Sequence, residues 1–427
     1  MRSLKVCGRY LSWDDGAPFF YLADTAWELF HALSREEMDY YFSTRARQGF
    51  TAVQCVALAE KDGLRTPNFY GRLPLKIGDG GMPDPTKPDT DGDYSYWAHV
   101  DYALEDAEKH GLFLALLPTW GDKFNKAWGI GPEIFTEENA FLYGKWLGER
   151  YKNRPNIIWM LGGDRPLEER HRKIVDAMAA GIKSSGDGHL MTFHPVGGRT
   201  SVDFVGDADY IDFHTAQTSH GIEQCYASDE VMLKMAAATE KPYLDSEPRY
   251  EDHPACFNTK TRYYWDSADV RQNAYWDVLS GACGHTYGNH CVWSMNRAPS
   301  DYFPYTWSEA LTHEGAEQML HLKELRLSRD YFSLKPVFGL VCEQFYGIGH
   351  MVAAAGDGYV YIYSPLGIPF TFDPEPLGLK SPLRVSWFDP RTGDEKIFGI
   401  IKRDEKATLA PPSQGKGCDW VLVVESV

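Results

Sequence analysis

Two carboxyl groups stand at the ends of short apolar runs and are suited to act together. Asp164 closes the run IIWMLGGD, and Glu247 lies at the end of PYLDSEP. Cleavage of a glycosidic bond needs two such groups, because one protonates the leaving oxygen while the other attacks the sugar or activates water. We therefore take Asp164 and Glu247 as the candidate catalytic pair.

Each of these carboxyl groups also has a structural interpretation. Asp164 precedes a predicted helix, and Asp is a favoured N-cap residue. Glu247 could instead form a salt bridge with Arg249. Asp245 is a rival to Glu247, because residues two apart in a regular strand face the same side. All three alternatives remain open from the sequence.

Polar and aromatic side chains also stand near the ends of the other apolar runs. Histidine and glutamine can bond sugar hydroxyls, while aromatic rings offer large apolar surfaces that suit the C–H faces of a sugar. If these side chains converge on one end of the fold, they form a substrate cavity. The predicted substrate-binding residues are Asp24, Trp27, Gln54, Trp120, His194, His214, Gln217, Tyr287, His290 and Trp293.

Eight apolar runs are the elements that must position these groups. They are nearly continuous rather than alternating, which is typical of parallel strands covered on both faces. The predicted strands are 18–24, 50–58, 112–119, 157–163, 190–194, 210–216, 242–247 and 284–293.

Segments with helical spacing separate these runs. The segment 34–50 begins with Ser34 as a predicted N-cap, has Glu37 as its capping-box partner and reaches Gly49 near its end. Similar patterns cover 96–111, 138–153, 168–185 and 270–282. Eight strand–helix repeats predict an α/β fold, a (β/α)8 TIM barrel, whose active site lies where the strands end.

The segment 59–93 interrupts this alternation after the second strand. It is rich in Gly, Pro and Asp and has no clear periodicity. Long loops of this kind are usually functional or disordered. Because it follows a strand on the active-site side, we predict that it forms one wall of the cleft.

The pattern changes after the helical segment 314–336. From about 338 onward the chain shows short alternating strands separated by Asp-Gly and Thr-Gly turns. Such a pattern predicts a small antiparallel β-sandwich. We therefore expect a barrel over residues 1–335 and a second domain over 336–427.

Composition restricts the function and the location of the protein. The net charge of -17 argues against binding to nucleic acid or to an anionic membrane surface. No run is long enough for a membrane helix, and the N-terminus lacks the apolar stretch of a signal peptide. With eight scattered cysteines, we expect a cytoplasmic protein with reduced thiols, or a secreted or periplasmic one if a signal peptide has been removed.

Four segments resemble those of the apiosidase-like glycoside hydrolase family. They are ADTAWELF, YWAHVDYALEDAEKHGLFLALLPTWGDK, NIIWMLGGD and YLDSEP. The resemblance covers about residues 1–335, and the C-terminal part resembles the collagen-binding-type domain that accompanies this barrel. Barrel glycosidases commonly carry Asn-Glu at the end of strand four, whereas this chain has Gly163-Asp164.

The resemblance implies a function for the candidate pair. It implies that Asp164 is the acid/base and Glu247 the nucleophile or its partner, acting on apiose-containing side chains of pectin. We expect a retaining enzyme that needs neither cofactor nor metal, since two carboxyl groups suffice for acetal cleavage. The sequence does not indicate an oligomeric state.

Two other functions compete with this interpretation. The first is a metal-dependent hydrolase on the same barrel, with Asp164, His194 and His214 as ligands. The first strand, however, has no His-x-His pair. The second is a non-catalytic carbohydrate-binding protein, against which the intact Asp164 and Glu247 argue.

Overall fold

A computed structural model of the chain describes residues 2–218, 220–221 and 228–426. It begins with a small antiparallel sheet of β1 (Leu4–Cys7), β2 (Tyr10–Trp13) and β3 (Pro18–Phe19). Eight strands then surround one axis. They are β4 (Tyr21–Thr25), β5 (Ala52–Val56), β8 (Phe113–Leu117), β9 (Ile157–Gly162), β10 (Met191–His194), β12 (His214–Gln217), β13 (Tyr243–Asp245) and β14 (Gly284–Tyr287).

Parallel pairing joins most of these strands into a barrel. One ladder runs in the order β10-β9-β8-β5-β4-β14, and β12 pairs with β13. Single backbone bonds bridge the two joints, from Asp212 N to Met191 O (2.8 Å) and from Cys283 N to Tyr243 O (2.8 Å). The predicted (β/α)8 barrel is thus confirmed.

The eighth predicted strand is too long. Strand β14 ends at Tyr287 rather than continuing to 293, and a short helix occupies His290–Trp293. The Asn289 side chain caps this helix by accepting bonds from the backbone N–H groups of Cys291 and Val292. The strand that the apolar run 284–293 predicts is therefore cut short, because the Asn289 cap begins a helix at His290.

Helices cover the outside of the barrel. The capping box of Ser34 and Glu37 is present as predicted. No helix among the described residues has the length and hydropathy needed to cross a bilayer. The helices are α1 (Leu29–Ala32), α2 (Arg35–Arg47), α3 (Tyr96–Lys109), α4 (Glu137–Tyr151), α5 (Glu169–Ser184), α6 (Val202–Val205), α7 (Ser228–Ala238), α8 (Ser267–Leu279), α9 (His290–Trp293), α10 (Trp307–Ala310) and α11 (Glu314–Leu327).

Two short accessory pairings lie in the connections between barrel strands. Strands β6 (Leu75–Ile77) and β7 (Pro83–Pro88) pair antiparallel inside the 59–93 insertion. Strand β11 (Arg199–Thr200) pairs antiparallel with β12. The insertion is therefore a hairpin-containing loop rather than a structureless one.

The C-terminal part forms a separate antiparallel sheet. Its strands are β15 (Lys335–Pro336), β16 (Val352–Gly356), β17 (Tyr359–Ser364), β19 (Leu383–Phe388), β20 (Glu395–Ile401) and β22 (Trp420–Ser426), in the order β15-β16-β17-β22-β19-β20. The pair β18 (Phe370–Phe372) and β21 (Ala407–Leu409) packs its side chains with one face of this sheet. The chain thus has a second, antiparallel domain, as the sequence predicted.

The other face of the sheet packs on the barrel. In β17 the alternate residues Tyr361 and Tyr363 belong to the barrel core, because successive side chains of a strand point to opposite faces. The Tyr363 ring stacks on Tyr275 of α8 at 4.9 Å. A buried ion pair between Arg271 and Asp419 (2.6 Å) joins the same helix to the C-terminal domain.

Candidate active site

A cleft of about 440 Å³ opens at the carboxyl ends of the barrel strands. Both candidate catalytic residues line it, together with aromatic rings and imidazoles. This is the position that barrels of this type use for catalysis. The lining residues are Trp27, Glu60, Trp120, Trp128, Asp164, Val196, Gly197, Gln217, His220, Glu247, Tyr250, His253, Phe257, His290, Trp293 and Tyr302.

A glycine pair turns Asp164 into the cleft at the end of β9. Gly162, Gly163 and Asp164 all have positive φ angles, of 92°, 116° and 54°. A Cβ on Gly163 would lie 2.6 Å from Gly121 N, so that position has no space for a side chain. The N-cap of α5 is Glu168, and the capping alternative for Asp164 is therefore wrong.

The surroundings of Asp164 favour its protonated form. Burial and the negative charge of Glu247 raise the pKa of Asp164 to about 6, although Arg165 opposes the shift. The Arg165 guanidinium donates to Asp164 Oδ2 (2.9 Å) and to Glu60 Oε1 (2.8 Å). Asp164 is thus a carboxyl group that can carry and release a proton near neutral pH.

The surroundings of Glu247 favour its ionised form. His220 Nε2 lies 3.1 Å from Glu247 Oε1, and His194 Nε2 lies 3.1 Å from Oε2. The contact with His194 is electrostatic, because neither His194 Nε2 nor Glu247 Oε2 has a hydrogen-bond partner among the described residues. Burial opposes ionisation, but the two imidazoles together hold the pKa of Glu247 well below its usual range. Two carboxyl groups with opposite pKa shifts are the arrangement expected of an acid and a nucleophile.

Asp245, the alternative to Glu247 as a catalytic residue, and Arg249, its alternative salt-bridge partner, both have other contacts. Asp245 is fully buried and does not line the cleft. Its Oδ1 accepts a bond from the Glu247 backbone N–H (3.1 Å), and its Oδ2 accepts one from the Thr218 hydroxyl. The described contacts of Arg249 include Asp269 at 3.7 Å. Asp245 therefore supports the position of Glu247 rather than competing with it.

Five of the predicted substrate-binding residues line the cleft. His194 lies directly against them, with its ring centroid 5.3 Å from that of Trp27 and 5.7 Å from that of Trp120. The five lining residues are Trp27, Trp120, Gln217, His290 and Trp293.

Asp24 and Tyr287 were placed wrongly by the sequence. They are register partners on β4 and β14 and share the side that faces the helices. Asp24 accepts bonds from Arg45 Nε (2.7 Å) and the Tyr41 hydroxyl (2.5 Å), all fully buried. The Tyr287 hydroxyl donates to Glu251 Oε2 (2.5 Å). Both residues are structural because their side chains point away from the cleft.

Gln54 and His214 are also absent from the lining. Gln54 lies inside the barrel and donates from Nε2 to Ser246 O (2.8 Å), next to the turn that carries Glu247. The His214 ring bonds through Nδ1 to Ser201 Oγ (2.8 Å). Each side chain thus bonds a neighbour within the protein and neither lines the cleft, contrary to the prediction that they contact substrate.

Sequence comparison assigns the chain to a family. Residues 6–333 match the family described as "Apiosidase-like, catalytic domain". The chain belongs to the apiosidase-like family. Residues 340–425 match a second family, described as "Putative collagen-binding domain of a collagenase". No curated protein matches the sequence.

Similar solved structures are described as glycoside hydrolases. A glycoside hydrolase family 5 protein from Bacteroides vulgatus is 29% identical, with a TM-score of 0.89 over 99% of this chain and 93% of its own. A second structure described as a glycoside hydrolase is also 29% identical, with a TM-score of 0.89 over 100% and 97%. An endo-1,4-beta-mannanase from Rhizomucor miehei is 14% identical with a TM-score of 0.51 over 74% and 99%, and shares the fold alone. The chain is a glycosidase of this fold.

Several lining residues of this apiosidase-like chain were not predicted. They lie in the loops that follow the strands, beyond the ends of the apolar runs from which the site residues were predicted. From the 59–93 insertion, Glu60 lines the cleft and Lys61 lies over the Trp293 ring (4.4 Å). The start of the segment therefore borders the cleft, whereas residues 62–93 are not among the lining residues. The unpredicted lining residues are Glu60, Trp128, Val196, Gly197, His220, Tyr250, His253, Phe257 and Tyr302.

Several polar atoms of lining residues have no hydrogen-bond partner within the described ranges and are available to a ligand. Trp120 Nε1, Gln217 Oε1 and His220 Nδ1 are buried and have no hydrogen-bond partner among the described residues. Buried polar groups are normally bonded. These atoms are therefore suited to bind the hydroxyl groups of a sugar.

The ligand set of the competing metal hydrolase is not assembled. His214 bonds Ser201 outside the cleft, while His194 lies against Glu247. Within the described ranges, the three groups close enough to share an ion are Asp39, Asp106 and His110, which lie outside the cleft. The proposed combination of Asp164 with the two histidines is therefore wrong.

Proposed function

We propose that this glycosidase retains the anomeric configuration and releases apiose or a similar pentose from pectic oligosaccharides. The observation that carries the mechanism is that Asp164 and Glu247 line one cleft, with Arg165 bonded to the first and two imidazoles in contact with the second. These surroundings raise the pKa of Asp164 and lower that of Glu247. Both retaining and inverting reactions need one ionised carboxylate and one protonated acid at the same time. We choose retention because the ends of strands four and seven hold a retaining pair in many barrel glycosidases.

The two carboxyl groups would act in two steps. Glu247 Oε attacks the anomeric carbon while Asp164 gives its proton to the leaving oxygen, and the glycosidic bond breaks. Asp164 then takes a proton from water, which attacks the glycosyl–Glu247 ester and frees the carboxylate. The Arg165 contact keeps Asp164 oriented through both steps.

The cleft favours an uncharged sugar. Its carboxyl lining residues are Glu60, Asp164 and Glu247. The adjacent cations are already engaged, because Arg165 bonds Glu60 and Asp164 and Lys61 lies over the Trp293 ring (4.4 Å). A uronic acid as the released sugar would bring a further negative charge next to the ionised Glu247, which costs energy in a buried site. Imidazole, amide and indole groups can instead bond neutral hydroxyls, and the family resemblance then favours apiose.

Product analysis tests this proposal. The enzyme is incubated with apiose-containing pectic oligosaccharides, with homogalacturonan, cellulose and mannan as parallel substrates. We expect free apiose from the first substrate and no uronic acid from the second. Products from cellulose or mannan without any from the apiosyl substrates would refute the substrate while leaving the glycosidase assignment intact.

A further inference from the structure

We propose that Trp128 is the binding platform for the leaving-group sugar, that is, the ring on the far side of the bond that is cut. The inference rests on the proposed function and adds to it, because it divides the cleft into two parts. Trp128 belongs to the connection between β8 and α4 and was not among the predicted site residues.

Trp128 presents a large apolar ring to solvent. It lines the cleft although 61% of its surface is exposed. Its ring covers the guanidinium of Arg165 at 4.6 Å, and Arg165 is itself only 1% exposed. A cation beneath an aromatic ring attracts it, so one face of the indole is fixed and the rest remains available.

The loop that carries Trp128 is built onto the same arginine. A Cβ on Gly129 would lie 2.4 Å from Asp122 Cβ and 2.7 Å from Arg165 Nη2, so the backbone can approach only as glycine. The Asp122 carboxylate accepts bonds from Gly131 N (2.8 Å) and Lys123 Nζ (2.8 Å), and both of these charged residues are fully buried. The ring is thus held by a well-anchored loop.

The position of Arg165 tells which sugar the ring would contact. Arg165 bonds Asp164, the group that would protonate the leaving oxygen. The Asp164 side chain is 22% exposed, whereas that of Glu247 is 10% exposed. The acid therefore lies nearer the opening, and the ring beside it is on the leaving-group side. The leaving group should be a sugar with an apolar face rather than a small alcohol.

Substitution of Trp128 with two leaving groups tests the proposal. Wild type, Trp128→Ala and Trp128→Phe are compared on the oligosaccharide that the wild type cleaves and on the fluoride of the sugar it releases. Fluoride leaves without a proton from Asp164 and has no ring to stack. Ile130→Ala is the matched control, because Ile130 is exposed in the same loop but does not line the cleft.

We expect Trp128→Ala to lower kcat/KM for the oligosaccharide about tenfold, mainly through KM, as for the loss of one aromatic contact. Trp128→Phe should recover most of this loss, while the fluoride and Ile130→Ala should stay near wild type. Equal losses on both substrates, or no loss on either, would overturn the platform while the glycosidase assignment stands. If the wild type released no sugar from any oligosaccharide, both the proposed function and this inference would fall.

Discussion

The carboxyl groups on the two sides of the barrel have different surroundings. On the side of β4 and β14, Asp24 is fully buried and bonded to both Arg45 and Tyr41. On the side of β9 and β13, Asp164 and Glu247 reach a cleft that contains unpaired polar atoms. All three residues follow apolar runs and look alike in the sequence.

The difference lies in which face of the strand, or which turn after it, carries the carboxyl group. Asp24 is inside β4 and faces the helices, where Arg45 of α2 neutralises it. Asp164 and Glu247 follow their strands by two residues, where the chain turns towards the opening. A carboxyl group inside a strand therefore contributes to stability here, while one in the following turn is available for chemistry.

Replacing Glu247 with glutamine should have the largest effect on activity. Glutamine keeps the shape but cannot attack the sugar, so kcat should fall by about 10³-fold or more. The thermal midpoint should stay within a few degrees, because Asp245 can still accept the backbone bond of residue 247. Hydrolysis rates and a melting curve on the same preparation check both expectations. A variant with more than about a tenth of wild-type kcat would contradict the role of Glu247.

Replacing Asp24 with alanine should affect stability instead. The change leaves Arg45 buried without its carboxylate partner, which costs about 3–5 kcal/mol of unfolding free energy. Urea denaturation followed by tryptophan fluorescence measures this loss. The folded fraction should keep kcat within about threefold of wild type, since Asp24 does not line the cleft. A stable but inactive variant would break the distinction between the two sides.

The pH dependence of kcat/KM should report the opposite shifts of the pair. Glu247 must be ionised and Asp164 protonated, so activity should fall as pH rises through about 6, the raised pKa of Asp164. The acidic limb should lie well below this value because the pKa of Glu247 is lowered. A pH series with the natural oligosaccharide gives both limbs. An alkaline limb above about pH 8 would contradict the environment described for Asp164.

Replacing Asp245 with asparagine should have the smallest effect. Burial, and then the neighbouring Asp277 carboxyl group, raise the pKa of Asp245 to about 8, so this group takes up a proton more readily than an ordinary aspartic acid. Asparagine resembles a protonated aspartic acid and keeps an acceptor for the Glu247 backbone N–H. We expect kcat/KM at pH 7 within about threefold of wild type. A loss as large as that of Glu247→Gln would mean that Asp245 belongs to the reacting pair.

The sequence predicted the repetitive part of the structure well. The barrel, the Ser34–Glu37 capping box and the second antiparallel domain follow from local patterns of apolar residues and caps. That Asp164 and Glu247 lie in one cleft could also be predicted, because strand ends in a barrel converge. Partners that are distant in the sequence could not be predicted. For example, no local pattern around Asp24 indicates that its carboxylate pairs with Arg45. His220 and Trp128 lie in loops whose paths depend on tertiary contacts, so residue type alone did not single them out.

The most direct test of the central claim is to trap the sugar on Glu247. In Asp164→Asn, a glycosyl fluoride can still react with Glu247, but the ester lacks the base that activates water, so it should accumulate. Intact-protein mass spectrometry should show one added glycosyl mass, and peptide mapping should place it on Glu247. The double variant Asp164→Asn with Glu247→Gln should show no such mass. Turnover of the fluoride without an adduct, or an adduct on another residue, would contradict the account.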